Sequence, residues 1–143
     1  MKISAKAEYA CVAMIELAIT HGEREVVQIK TIAEAHDISP RFLVQILLQL
    51  KSAGLVTSTR GSSGGYQLAR PPESISLADI IMAIDRPALE SSSFATLPNG
   101  REVEVLRAVW VELNRLEVEL LRNTTLADLI LRAQGDDAGY YQI

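Results

Sequence analysis

Ser39-Pro-Arg-Phe-Leu-Val-Gln-Ile-Leu-Leu-Gln-Leu-Lys-Ser-Ala-Gly54 carries its own start and stop signals. Ser39 is a favoured helix cap, Pro40 suits the first turn, and Gly54 supplies a left-handed stop after about Ala53. Leu55-Val-Thr-Ser-Thr-Arg60, Gly61-Ser-Ser-Gly-Gly65 and Tyr66-Gln-Leu-Ala-Arg70 follow. A glycine-rich turn between two short alternating segments predicts a hairpin, which Pro71-Pro72 forbids from continuing. Just upstream, residues 29 to 35 read as a small helix with Ile29, Ile32 and Ala33 inward, and Asp37 lies in the turn before Ser39. The two helices make a helix-turn-helix pair. A helix exposing Arg41 and Gln45, followed by a flap carrying Arg60 and Arg70, is the layout of a winged helix-turn-helix. The implied partner is the DNA major groove, with the flap on the adjoining backbone.

The flanks extend this into a mainly α fold. Residues 5 to 20 form a helix with Tyr9, Ala10, Ala13, Met14 and Leu17 on one face and Cys11, Ile15 and Ala18 on a second, which suggests burial from two sides. Val26-Val27 is a short extended piece. Ser76 and Asp79 have capping-box spacing ahead of a helix over Leu77 to Ile84. Residues 86 to 100 have loop composition. The longest helix runs from Arg101 to about Arg122, and Thr125 with Asp128 starts a last short one that Gly135 ends. The expected organisation is residues 1–85 as the winged helix-turn-helix domain, 86–100 as a flexible loop, 101–133 as a dimerisation helix plus a short final helix, and 134–143 as a tail. A helix of about 20 residues spans roughly 30 Å, more than the winged helix can cover alone. Val103, Leu106, Val109, Trp110, Leu113, Leu116 and Leu120 recur at threes and fours along it and are the expected homodimer interface. Folding back on its own domain is the competing reading.

The chain has 143 residues and a mass of 15.7 kDa, enough for one domain plus an extension. Its 48% apolar and 5% aromatic content predicts an aliphatic, helical core. No uncharged apolar run is long enough to span a membrane, and Glu8 and Glu16 interrupt the first helix, which lacks a signal-peptide cleavage site. A single cysteine excludes an internal disulfide framework and suits a reducing cytoplasm. The net charge of −4 is unusual for a DNA reader. Residues 1–70, however, hold eight Lys/Arg against six Asp/Glu, whereas residues 71–143 hold six against twelve. The positive excess therefore lies in the winged-helix part.

Within that part, Arg41 is expected to read guanine or hold phosphate, and Gln45 to read adenine. Ser39 and Pro40 sit at the helix start, where Ser39 can also touch the backbone. Phe42 either packs in the core or meets thymine methyls. Gly61, Gly64 and Gly65 permit positive φ and close backbone approach. Lys2, Lys6 and Lys51 are candidate phosphate contacts. Cys11 is read as a redox sensor or as a small core residue. Neither His21 nor His36 is assigned a site. A protein-interaction module without DNA binding, and a regulator with an unrecognised small-molecule effector, stand as alternatives. No nucleophile–base pair, metal cluster or phosphate loop points to an enzyme.

Met1-Lys-Ile-Ser-x-Lys6, Met14-Ile-Glu-Leu-Ala18, Ile32-Ala-Glu34, Ile38-Ser39, Gly54-Leu-Val56 and above all Arg60-Gly61…Gly64-Gly-Tyr66-x-Leu68 resemble the Rrf2 family of bacterial transcription regulators, over residues 1 to about 133. The resemblance implies a homodimer that represses or activates promoters through a near-palindromic operator. It puts Arg60 in the minor groove or on phosphate, with Tyr66 just after the wing turn. Cluster-binding members carry three cysteines before the long helix and a further ligand three residues ahead of its tryptophan. Here the loop is Ser91-Ser-Ser-Phe-Ala-Thr-Leu-Pro98 and the second position is Arg107, so no iron–sulfur cluster is expected. Val44 stands where those members carry an acidic base reader, and Ser62-Ser63 replaces a commoner Pro-Gly in the wing. The chain looks closer to the cluster-free, CymR-like branch. That likeness implies cysteine or sulfur metabolism and a tail, with Tyr141 and Ile143, that docks into cysteine synthase; a functionless end is the alternative.

Overall fold

The computed structural model describes residues 2–23, 25–90 and 98–141, with backbone only for 136–141. Its elements are α1 (Ala5–Ile19), α2 (Ile29–His36), α3 (Pro40–Ser52), β1 (Val56–Thr59), β2 (Gly65–Leu68), α4 (Leu77–Ile84), α5 (Arg86–Glu90), α6 (Arg101–Asn123) and α7 (Leu126–Tyr141). The fold is thus mostly helical with a two-stranded wing and a long helix near its C-terminus, as expected.

Local chemistry sets the boundaries. The Ser4 hydroxyl accepts from the Ala7 amide at 3.1 Å and opens α1. Ser76 and Asp79 close a reciprocal capping box at α4, and Thr125 and Asp128 do the same at α7, at 3.1 and 2.9 Å. Ser39 departs from its expected role: it occupies the cap position of α3, but its hydroxyl makes no capping bond. Its ψ is 128°, against 156° and 164° at Ser4 and Ser76, which do cap their helices. Pro40 begins α3, and Gly54, at φ 78°, turns the chain into β1.

β1 and β2 pair antiparallel from Val56–Leu68 to Thr59–Gly65. Val27 bridges to β2: its amide donates to the Tyr66 carbonyl and its carbonyl accepts from the Tyr66 amide, both at 2.8 Å. The core gathers Met14, Leu17, Ile32, Leu43, Ile46, Leu50, Ile75, Ile80 and Leu126, with Phe42 and Tyr66 packed at its edge. It is aliphatic, as the composition implied. The second apolar sector of α1 helps bury Ala7 with Ala78, Ile81 and Leu89, against which Cys11, Val118 and Leu121 rest. Tyr9 differs from its expected inward position. It is 40% exposed and sets its ring edge-on to Phe42, with centroids 5.8 Å apart.

Three expectations about the second half change. Residues 86–90, read as loop, form α5, because Pro87 fits a first turn and Leu89 is buried against the second apolar cluster. Gly135 does not end the last helix: it has no positive φ, and α7 continues to Tyr141. A glycine inside a helix costs only about 1 kcal/mol, too little to stop one that no proline interrupts. Residues 136–141 are therefore helical where an irregular tail was expected. The last helix, grouped in sequence with the dimerisation helix, packs on α1 and buries Leu126 in the main core. Residues 91–97, the rest of the expected loop, lie outside the described residues.

Candidate nucleic-acid interface

Helix α3 is buried along Leu43, Ile46, Leu47 and Leu50, which turns Arg41, Gln45, Leu48 and Ser52 outward in one line. This spacing of four, three and four residues follows from the helical repeat. Ser39, Pro40, Arg41 and Gln45 are all exposed at the N-terminal end, the part of a recognition helix that meets base edges. Phe42 is half-buried against the core and Tyr9, and Val44 is also half-buried. Of the two readings of Phe42, packing is the one its surroundings show.

The Tyr9–Phe42 contact draws the N-terminal half of α1 alongside the start of α3. Lys6, one turn before Tyr9, and exposed Lys2 therefore flank the same end of the recognition helix. Among the described residues, Lys2, Lys6, Arg41 and Arg60 make no ion pair, so their charge is available to an external anion. Lys51 likewise makes no ion pair among the described residues but is tied to β1. Its Nζ donates to the Ser58 hydroxyl at 2.7 Å and props β1 against the end of α3. Arg70 also leaves the wing: it lies beyond β2 and its guanidinium reaches the Asp79 carboxylate at 3.5 Å. The wing therefore offers one unpaired arginine, Arg60.

The wing is held at the root and at the turn. The three glycines act differently. Only Gly61 has positive φ, at 107°. A Cβ on Gly64 would overlap the Thr59 carbonyl, and one on Gly65 would come within 2.5 Å of the Val27 carbonyl oxygen. Positive φ and close backbone approach were both expected of this turn, and they divide: Gly61 takes the first, Gly64 and Gly65 the second. Gln28 was missed in the sequence. Its Nε2 donates to the Ser62 carbonyl at 3.1 Å and ties the start of α2 to the wing turn, 34 residues away. A long-range side-chain bond leaves no local signal. At the other end of α2, His36 Nε2 and Glu16 Oε1 lie 2.9 Å apart and link α2 to α1.

Cys11 is half-buried in α1, and burial, with the Glu8 carboxylate adding to it, pushes its thiol up to about 11. A thiol so placed stays protonated and behaves as a core residue.

Helix α6 is about 34 Å long and has no fully buried residue. Leu106, Val109, Leu113, Leu116 and Leu120 form an uninterrupted line and are 40 to 62% exposed. Val103 and Trp110, expected on that line, are half-buried about a quarter turn away, on the side that continues into Glu117 and Leu121. Tyr141 ends α7, and Ile143 lies outside the described residues.

A recognition helix with an exposed line headed by Arg41 and Gln45, a neighbouring pair of lysines and a braced hairpin bearing one arginine define a winged-helix DNA-binding protein. The chain matches the Rrf2 family model, described as an iron-dependent transcriptional regulator, over residues 3–132. It is 37% identical to the HTH-type transcriptional regulator CymR of Bacillus subtilis over 140 residues, covering 98% of this chain and 97% of that one. It is 34% identical to the regulator IscR of Cereibacter sphaeroides, covering 91% and 87%. The structure of B. subtilis CymR, the global cysteine regulator of that organism, superposes with a TM-score of 0.79 at 37% identity, covering 90% and 95% of the two chains. The chain belongs to the Rrf2 family and is a DNA-binding transcriptional regulator.

The family description raises the matter of iron. A thiolate-held cluster needs several cysteines, and this chain has one, half-buried in α1. Among the described residues no group of three or more His, Cys, Asp or Glu side chains converges. The position three before Trp110 is Arg107, a cation that cannot ligate iron. The donor set does not fit an iron–sulfur cluster. No helix among the described residues is long and apolar enough to cross a membrane.

Proposed function

We propose that the protein is a cytoplasmic homodimer that grips a near-palindromic operator without an iron–sulfur cluster and represses the genes it covers. The observation that carries this reading is the exposed line Leu106–Val109–Leu113–Leu116–Leu120 on α6. Apolar side chains at alternating threes and fours are the pattern of a helix that packs on another helix. Each leucine, already about half covered in one copy, contributes about 1 kcal/mol when the rest is buried there. A two-fold axis through this line offers two α3 helices to one duplex, the arrangement that matches half-sites about one helical turn apart. Base contacts then fall to Arg41 and Gln45, and backbone or minor-groove contacts to Arg60, Lys2 and Lys6, with Ser39 beside them. Nothing in the arrangement calls for turnover chemistry.

The likeness to CymR over nearly the whole chain supports a role in cysteine or sulfur metabolism. It also supports docking of the C-terminal end, through Tyr141 and Ile143, into cysteine synthase. The decisive experiment measures mass in solution and operator affinity together. Wild type elutes as a dimer and retards operator DNA; Leu113→Glu elutes as a monomer and loses most of its affinity. A monomeric wild type that binds DNA equally well overturns the reading. Fragments selected from the source genome should adjoin sulfur-metabolism genes, and deletion of Ile143 should abolish capture of cysteine synthase. Unrelated genes, or unchanged capture, overturn those two parts.

A further inference from the structure

Between α4, α5 and the C-terminal half of α6, the surface dips into two adjoining hollows of about 540 and 640 Å³ that share Leu89, Val118 and Arg122. Both lie in the range of small-molecule sites, roughly 300–1,000 Å³. The first is floored by Ala78, Met82, Leu89 and Val118, and its rim carries Glu73, Asp79, Glu90 and Arg122. Two of these carboxylates are occupied. Asp79 accepts from the Ser76 amide at 2.9 Å and faces Arg70, and Glu90 faces Arg86 at 3.7 Å. In the second hollow, Arg115 is held by Glu112 and Glu119, both at 2.6 Å. Among the described residues, one carboxylate and one guanidinium in the first hollow make no ion pair: Glu73 and Arg122.

From this we infer that the hollow seats a small zwitterionic amino acid, whose occupancy adjusts operator binding; the inference rests on the regulator reading above. A plain carboxylate would bring its charge against Glu73, and a plain amine would face Arg122. A molecule bearing both groups satisfies both ends, carboxylate on Arg122 and ammonium on Glu73, and lays its side chain on the apolar floor. The hollow stays open in the proposed dimer. Val118 and Arg122 lie nearly half a turn around α6 from the Leu106–Leu120 line, so a partner docked on that line leaves them uncovered. The site also lies where a ligand can act. Its walls are the start of α4, which Arg70 links to the end of the wing strand, and the helix that holds the two copies together. A ligand wedged between them changes the angle at which each copy offers α3.

The test uses the full-length protein and each of the twenty protein amino acids at millimolar concentration, with butylamine and propionate as single-charge probes. Melting temperature reads binding, and titration with operator DNA reads coupling. At least one amino acid should raise Tm by several degrees, and the two single-charge probes should not. The same amino acid should change operator affinity by about 5-fold or more, the lower end of usual allosteric coupling. Arg122→Gln and Glu73→Gln, both at the surface, should each abolish the ligand effects while leaving ligand-free operator affinity unchanged. No response to any amino acid overturns the proposal, as does a response that survives both substitutions or that propionate reproduces. A Tm rise with unaltered operator affinity overturns the coupling. Ligand-free operator titration tests DNA binding separately, so failure of this site and failure of the regulator reading are distinguishable.

Discussion

Arg41 and Arg60 are the two arginines of the DNA-facing side that make no ion pair among the described residues, one on α3 and one on the wing. Replacing either with Ala should weaken operator binding by about 1–3 kcal/mol, measured by titration at fixed salt. Arg41→Ala should also relax base preference at one position of each half-site, because it stands where base edges are read. Arg70→Ala should cost little affinity, since its guanidinium is turned to Asp79, 3.5 Å away. Equal losses at Arg60 and Arg70 would show that the wing engages DNA along its whole length. Cys11 allows a second measurement. With its thiol pushed up to about 11 by burial, it should react with a thiol reagent at pH 8 about 100-fold more slowly in the folded protein than in denaturant. Fast modification of the native protein would return Cys11 to the list of redox sensors.

At the scale of elements, what the sequence made legible was whatever is encoded locally. The Ser76/Asp79 and Thr125/Asp128 boxes, the Pro40 start and the glycine turn of the wing all specify structure within four or five residues, and each appears in the fold. Contacts that span the chain left no such trace. Helix α5 exists because Leu89 finds a distant apolar pocket, and Arg70 leaves the wing because the first turn of α4 presents Asp79. Gly135 misled for a related reason: a helix already docked on α1 tolerates one unfavourable residue. The apolar repeat of α6 was legible as a period but not as a face: the leucines are exposed, whereas Val103 and Trp110 lie half-buried about a quarter turn away. The α7 cap yields a pH prediction. Hydrogen bonds from the Thr125 amide and hydroxyl hold the Asp128 carboxyl below its ordinary 3.8. A depressed value in the folded state means the stabilisation is present above the ordinary value and is lost as pH falls through the folded one. Acid titration followed by helical signal should therefore show wild type losing stability below about pH 4 more steeply than Asp128→Asn, and matching curves would remove the cap from the account.

For the whole molecule, a net charge of −4 is compatible with DNA binding because the cations and anions are segregated. If each copy of a dimer places Arg41, Arg60, Lys2 and Lys6 near phosphate, about eight counterions leave the duplex, and log affinity should fall against log salt with a slope of about −7. A slope near −2 would mean that the wing and the α1 lysines stay off the backbone. The join between α6 and α4 matters at this scale too. The Leu77 amide donates to the Thr124 carbonyl at 2.9 Å, the Leu126 amide donates to the Ile75 carbonyl at 3.0 Å, and Leu126 is sealed in the core. The helix proposed to pair two copies is thus tied at its C-terminal end to the body that carries α3, with no slack linker between them. In any one ligand state such a calliper has a single gauge. One base pair inserted at the centre of its target swings a half-site round by about 35°, a misphasing that two rigidly mounted readers cannot follow together.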